Sequence, residues 1–155
     1  MSSVATSSPV TVSSSAQQGL RATGRGRFAR VGLATVAAAI LANVLVYFVG
    51  GALVTYDPQF LPLTNVSGAI VFTLPAAIVA VLLYAALLRF ARRPARTFTI
   101  ISLVVFVVTL IPDFTYIPTL PGVTVGQTAV LVLMHIVAAC VIVRMLTTLA
   151  RPQAR

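Results

Sequence analysis

The chain reads as an all-α integral membrane protein: a four-helix bundle with both termini on the cytoplasmic side and a disordered N-terminal tail. Three observations predict this. Hydrophobic residues fill 59% of the 155 positions and charged residues only 8%, too little charge to cover a soluble domain of this length. The apolar residues gather into four stretches, each near the roughly 20 residues that cross a bilayer. Charge then alternates from one connection to the next. All 11 basic residues are arginines, and they lie before the first stretch, between the second and third, or at and after the end of the fourth. The two acidic residues, Asp57 and Asp113, fall in the other two connections. Cytoplasmic flanks carry the Lys/Arg excess, which puts both ends inside. The arginine-only, Ala- and Val-rich composition suggests a high-GC bacterium and hence its inner membrane.

Residues 1–26 are expected to form a cytoplasmic tail. Positions 1–20 are Ser/Thr-rich without apolar periodicity, and offer too little burial to offset the entropy of ordering. Arg21, Arg25, Arg27 and Arg30 then introduce the first apolar run. That run, residues 31–54, exceeds the 7–15 residues of a signal-peptide core, so it is a retained span within a transmembrane domain at 27–151. Asp57, Pro58 and Pro62 mark a loop after it, because proline cannot continue a helix, and Tyr56 and Phe60 suit the headgroup zone. The second span, 66–88, contains Pro75, which deprives the Val71 carbonyl of its helical partner and predicts a kink. Arg89, Arg92, Arg93 and Arg96 crowd the link that follows, with Pro94 as the breaker. The third span is 97–117, its continuous apolar core ending at Ile111, and Asp113 is assigned to the second outer connection. That connection repeats the character of the first: one aspartate, prolines, aromatics, no arginine. Such a match would fit two hairpins related by an axis along the membrane normal. The fourth span is 124–149, followed by a short cytoplasmic tail at 152–155.

No phosphate loop, nucleophile elbow, Cys/His metal spacing or paired intramembrane carboxylates occur in the chain. No catalytic residue, metal or cofactor is therefore expected, and the chain is not read as an enzyme. The lone cysteine, Cys140, reads as a small packing residue. What remains are polar groups at depth: Asn43, Thr73, Thr109 and His135. Hydrocarbon offers them no water, so they should face protein and bond to one another or to free carbonyls. One cluster is expected, with Asn43 beside His135 and the carbonyl freed by Pro75 nearby. Neutral imidazole both donates and accepts. With no second ionisable group expected at its depth, His135 reads as an interhelical hydrogen bond rather than a relay. Ala34, Ala38 and Ala42, then Ala76 and Ala80, then Ala138 and Ala139 offer small-residue rows for close helix approach.

The arginine-rich approach to the first span, the arginine-rich link after the second, and the run Leu133-Met134-His135-Ile136-Val137-Ala138-Ala139 in the last resemble an uncharacterised family. That family comprises small four-span, actinobacterial-type membrane proteins and is known as a domain of unknown function. The resemblance covers residues 27–151, and it implies a four-helix membrane protein without implying an activity.

Two functional readings follow. In the first, the protein is a non-enzymatic membrane component that packs with a second copy or a membrane-protein partner through its small-residue faces. In the second, it is a small transporter or channel subunit with a polar intramembrane site around Asn43 and His135. The expected partners are the lipid bilayer and anionic headgroups, which arginines at the inner rim attract by about 1 kcal/mol each near the surface. Nucleic acid is not expected, since the arginines flank apolar runs instead of covering a folded face.

Overall fold

The computed structural model describes residues 14–150, with side chains from Gly26 onward. Four helices follow one another: α1 (Ser14–Leu53), α2 (Val66–Phe90), α3 (Pro94–Thr115) and α4 (Val125–Leu149), with a single 3₁₀ turn at Ile117–Thr119 between the last two. The segments Gly26–Leu53, Val66–Phe90, Pro94–Thr119 and Val125–Leu149 are each long and apolar enough to cross a membrane. No strand occurs among the described residues. The chain is a multi-pass membrane protein.

Local chemistry sets the helix ends. Asn65 caps α2, its side chain accepting from the Ser67 backbone N–H at 3.0 Å, and Arg89 sits in the last turn, where positive charge opposes the helix dipole. Pro94 opens α3 at a position whose N–H would have no helical partner anyway. At α4, Thr124 and Gln127 form a reciprocal capping box: the Thr124 hydroxyl accepts from Gln127 N–H at 3.2 Å and the Gln127 side chain accepts from Thr124 N–H at 2.7 Å. The turn before it needs Gly122, whose φ of 75° lies in the left-handed region. A Cβ there would also strike the Asp57 carboxylate, so the two loops at this end touch.

The arginines of the α2–α3 link mark one end of the bundle, here the basic end, and the two aspartate-bearing loops mark the other, the loop end. α1 packs against α4 and α2, and α3 packs against α4 and more sparingly against α2. Two apolar cores form. Near the basic end, Ala39, Ala77, Tyr84, Phe98, Ile142 and Leu146 pack together, with the Tyr84 and Phe98 rings edge to face at 5.0 Å between centroids, an arrangement worth about 0.5–1.5 kcal/mol beyond burial. Near the loop end, Phe60, Leu63, Ala69, Val130 and Met134 make the second core. Lipid tails are as apolar as leucine, so close packing and hydrogen bonds hold these helices together. The side of α1 that carries Leu33, Leu41, Leu45 and Phe48 is exposed, as a lipid-facing surface should be.

Several expectations change. Of the tail expected to be disordered over 1–26, residues 1–13 lie outside the described residues, and helix α1 already begins at Ser14. Ala16, Gln17, Gln18, Leu20 and Ala22 are competent helix formers, and a span already helical needs no new nucleus to extend into them. The expected tail at 152–155 also lies outside the described residues. The small-residue row on α1 is displaced by one position: Thr35, Ala39 and Asn43 are buried, flanked by Gly32 and Gly50, while Ala34 is exposed. Gly50 permits the approach of α4, since a Cβ there would meet Val130 at 2.9 Å. Phe60, expected among headgroups, is 1% exposed, because the loop folds it inward onto α4. α3 continues through Pro112 and Asp113 to Thr115, within the expected span of 97–117, so what changes is the place of Asp113. Asp113 is a helical residue, not a loop residue.

Candidate functional site

Between the two cores lies a polar layer. Asn43 is ten residues from the end of α1 at Leu53, and His135 is ten residues from the start of α4 at Val125, about 15 Å along each axis. On α2, Thr73 falls between Ala69 and Ala77, one buried residue from each core. On α3, Thr109 and Asp113 are one turn apart. All five residues line a single cavity of about 520 Å³ bounded by α2, α3 and α4, with Asn43 reaching it from α1.

Helical spacing explains the arrangement. Ala69, Thr73 and Ala77 recur every four residues and so share a face of α2. Thr35, Ala39 and Asn43 do the same on α1. Where these two rows meet, the Asn43 amide donates to the Thr73 hydroxyl at 2.8 Å. The bond leaves the Asn43 carbonyl oxygen buried without a partner.

His135 does not meet Asn43. Its Nδ1 stands 3.1 Å from the Leu131 carbonyl one turn earlier and 3.2 Å from Asp113 Oδ2. A carbonyl can only accept, so Nδ1 carries a proton and shares it along its own helix. Asp113 Oδ2 is within ion-pair distance of the ring, yet it is buried and receives no hydrogen bond. The Asp113 side chain is 8% exposed, whereas the imidazole side chain is 38% exposed. Asp113 is thus buried beside a histidine that still has access to the cavity.

Thr109 turns its hydroxyl back to the Phe106 carbonyl at 2.9 Å, as intrahelical threonines commonly do. It lines the cavity with its hydroxyl committed to its own helix. The four expected positions therefore separate into a bonded pair, Asn43–Thr73, and two wall positions, Thr109 and His135. The expected companionship of Asn43 and His135 is replaced by two separate pairs. The expectation that no ionisable group shares the depth of His135 is likewise corrected: continuation of α3 past Pro112 delivers Asp113 to it. Met134, from the loop-end core, also lines the cavity.

Above this layer, residues of both loops pack on the loop-end core. Tyr56 donates to the Tyr47 carbonyl at 2.7 Å and stacks at a tilt on the Tyr47 ring, centroids 5.1 Å apart. Burial, and then the neighbouring Tyr47, hold the Tyr56 hydroxyl above its ordinary titration range. Pro62 and Ile117, one from each loop, reach down to line the cavity. Among the described residues, no group of three His, Cys, Asp or Glu side chains is placed to hold a metal ion.

The chain belongs to a family of unknown function, DUF6069, whose model matches residues 23–152. No curated protein and no solved structure matches it.

Proposed function

We propose that this protein is a small transporter-type membrane component whose intramembrane cavity binds a small molecule, and that it performs no covalent chemistry. The observation that carries the reading is the Asp113–His135 pair on the cavity wall. An ionisable residue at membrane depth is costly and marks a functional site by default. Two of them, adjacent and lining a space of about 520 Å³, fall in the size range of small-molecule sites. Binding sites of transporters lie at such depths between helices.

The alternative role, packing with a second copy or a partner, draws its support from small-residue rows. Here Gly32, Thr35, Ala39, Asn43 and Gly50 are buried within the chain's own bundle, so the row on α1 serves internal contacts. The remaining reading places the chain in a bacterial inner membrane. Its arginine-rich connections face the cytoplasm and anionic headgroups, following the same charge bias that orients membrane proteins.

A cysteine accessibility experiment tests the reading. Thiols react as thiolates, which form only where water reaches. In a Cys140→Ser background reconstituted in liposomes, Thr109→Cys is expected to react with a small water-soluble methanethiosulfonate. A lipid-facing control at Val108, exposed in the structure but absent from the cavity wall, is expected to react far more slowly. Equal, negligible labelling at both positions would mean that the cavity is closed to water and solutes, and the transport reading would fail.

A further inference from the structure

Two residues that line the cavity each carry a buried acceptor oxygen that receives no hydrogen bond. Asp113 and Asn43 are each 5% exposed. Asp113 Oδ2 has an ion-pair neighbour but no hydrogen bond, and Asn43 Oδ1 has no partner. Unmet acceptors at this depth cost free energy in the empty site that a donor-bearing ligand would recover. The rest of the wall is overwhelmingly aliphatic and aromatic, with Phe72, Val79, Val105 and Phe106 typical of it. Anionic or acceptor-only ligands would meet a carboxylate and a bare amide oxygen, and would be repelled. We infer that the cavity takes a hydrophobic organic ammonium, its N–H groups donating to Asp113 and Asn43 and its apolar body lying between α2 and α3, in exchange for one proton from the Asp113–His135 pair. The inference rests on the transporter reading and names the substrate class of the same site.

The proton exchange follows from charge balance. Among the described residues, Asp113 on α3 and His135 on α4 are the only titratable groups that line the cavity. α1 and α2 present Asn43 and Thr73, neither of which titrates. At membrane depth the neutral arrangement is favoured strongly. With the cavity empty, the pair is neutral when it holds one exchangeable proton, as carboxylate with imidazolium or as carboxylic acid with imidazole. With an ammonium bound, neutrality requires carboxylate and neutral imidazole. The same proton leaves to bulk water in either case. Nδ1–H is already committed to the Leu131 carbonyl, so Nε2 is the ring nitrogen through which the imidazole gains and loses it.

The test uses purified protein in lipid nanodiscs, with 4-phenylbutylammonium as the probe and 4-phenyl-1-butanol as its uncharged counterpart, both followed by calorimetry. Saturable binding of the amine, at least tenfold tighter than the alcohol, is expected. Asp113→Asn keeps the shape of the side chain and is expected to remove the preference. Asn43→Leu is expected to weaken the amine several-fold. In buffers of differing ionisation enthalpy, about one proton should be released per amine bound, and affinity should rise roughly tenfold per pH unit wherever the empty site holds its proton. His135→Gln leaves Asp113 to hold the exchangeable proton alone, so amine binding and proton release should persist with the dependence moved in pH. Equal binding of amine and alcohol to the wild-type protein would overturn the inference, whatever the variants do. So would amine binding with no proton released. If no amine binds while Thr109→Cys remains open to water-soluble reagent, this substrate class is wrong and the transporter reading stands; if Thr109→Cys is also closed, both fall.

Discussion

The two aspartates occupy regions that look alike in composition and behave differently. Asp57 begins the first loop. Its carboxylate accepts from Gln59 N–H at 2.8 Å, a local turn on a partly exposed segment. Asp113 lies inside a helix, 5% exposed, against the only histidine of the chain. The difference comes from the order of two residues. In Asp57-Pro58 the aspartate precedes proline, and the proline ring drives its backbone out of the helical region. In Pro112-Asp113 the proline comes first. Its missing N–H costs one hydrogen bond, but its carbonyl still accepts from Tyr116 N–H at 2.9 Å. The helix then ends at Thr115, and the next proline, Pro118, lies inside the 3₁₀ turn Ile117–Thr119. One aspartate shapes a loop, and the other equips a cavity.

Charge reversal at the two sites should break this comparison most plainly. Asp113→Lys would replace the acid of the buried pair by a cation beside His135, at an expected cost of roughly 3–5 kcal/mol, as for breaking a buried ion pair. Asp57→Lys loses only a turn bond, about 1 kcal/mol. Folding yield and unfolding in mixed micelles should show the first variant severely impaired and the second near wild type. Equal damage from both would mean that Asp113 is as wet as Asp57.

Double-mutant cycles sharpen the pairing within the polar layer. Asn43→Ala with Thr73→Ala should show a coupling of about 0.6 kcal/mol, typical of interhelical hydrogen bonds in membranes. Asp113→Ala with His135→Ala should show a larger one, since a charge-assisted contact is at stake. Asn43→Ala with His135→Ala should be additive. A strong coupling in that last pair would restore the single cluster that the chain order invites.

The smallest effect belongs to the contact of Tyr56 with Tyr47 at the loop end. Tyr56→Phe removes the bond to the Tyr47 carbonyl, a loss of about 1 kcal/mol. Because the folded hydroxyl titrates above its ordinary value, its contribution is fully present below the unfolded titration point near pH 10. It is lost as pH rises through the folded value. An alkaline melting series should therefore show wild type and Tyr56→Phe converging at high pH.

Much of the fold is legible from residue order. Four apolar runs of spanning length, bounded by arginines and prolines, locate the helices to within a few residues except at the start of α1, which lies at Ser14, well before the expected span. The polar positions Asn43, Thr73, Thr109 and His135 stand out because hydrocarbon penalises each of them. What could not be read this way depends on register and partners. Alanine is so abundant that rows at four-residue spacing begin at several offsets, and only contact with α2 and α4 selects Thr35, Ala39 and Asn43. Phe60 looks interfacial until the loop fold carries it onto α4. Asp113 was hidden by its neighbours, since Pro112, Pro118 and Pro121 give the whole segment a loop-like composition. The signal available was the order Pro-Asp, together with Phe114 continuing the apolar run.

The central claim is that Asp113 and His135 meet inside the membrane-spanning layer. Solid-state NMR on lipid-reconstituted protein, with ¹⁵N-labelled histidine and ¹³C-labelled aspartate carboxyls, addresses it directly. One imidazole and two carboxyls give the signals, and Asp57→Asn assigns them. The account predicts a dipolar coupling between the His135 ring nitrogen and the Asp113 carboxyl that matches the 3.2 Å approach of Nδ1 and Oδ2, with no coupling to Asp57. Absence of any histidine–aspartate coupling, with both carboxyls exchanging freely with water, would contradict it.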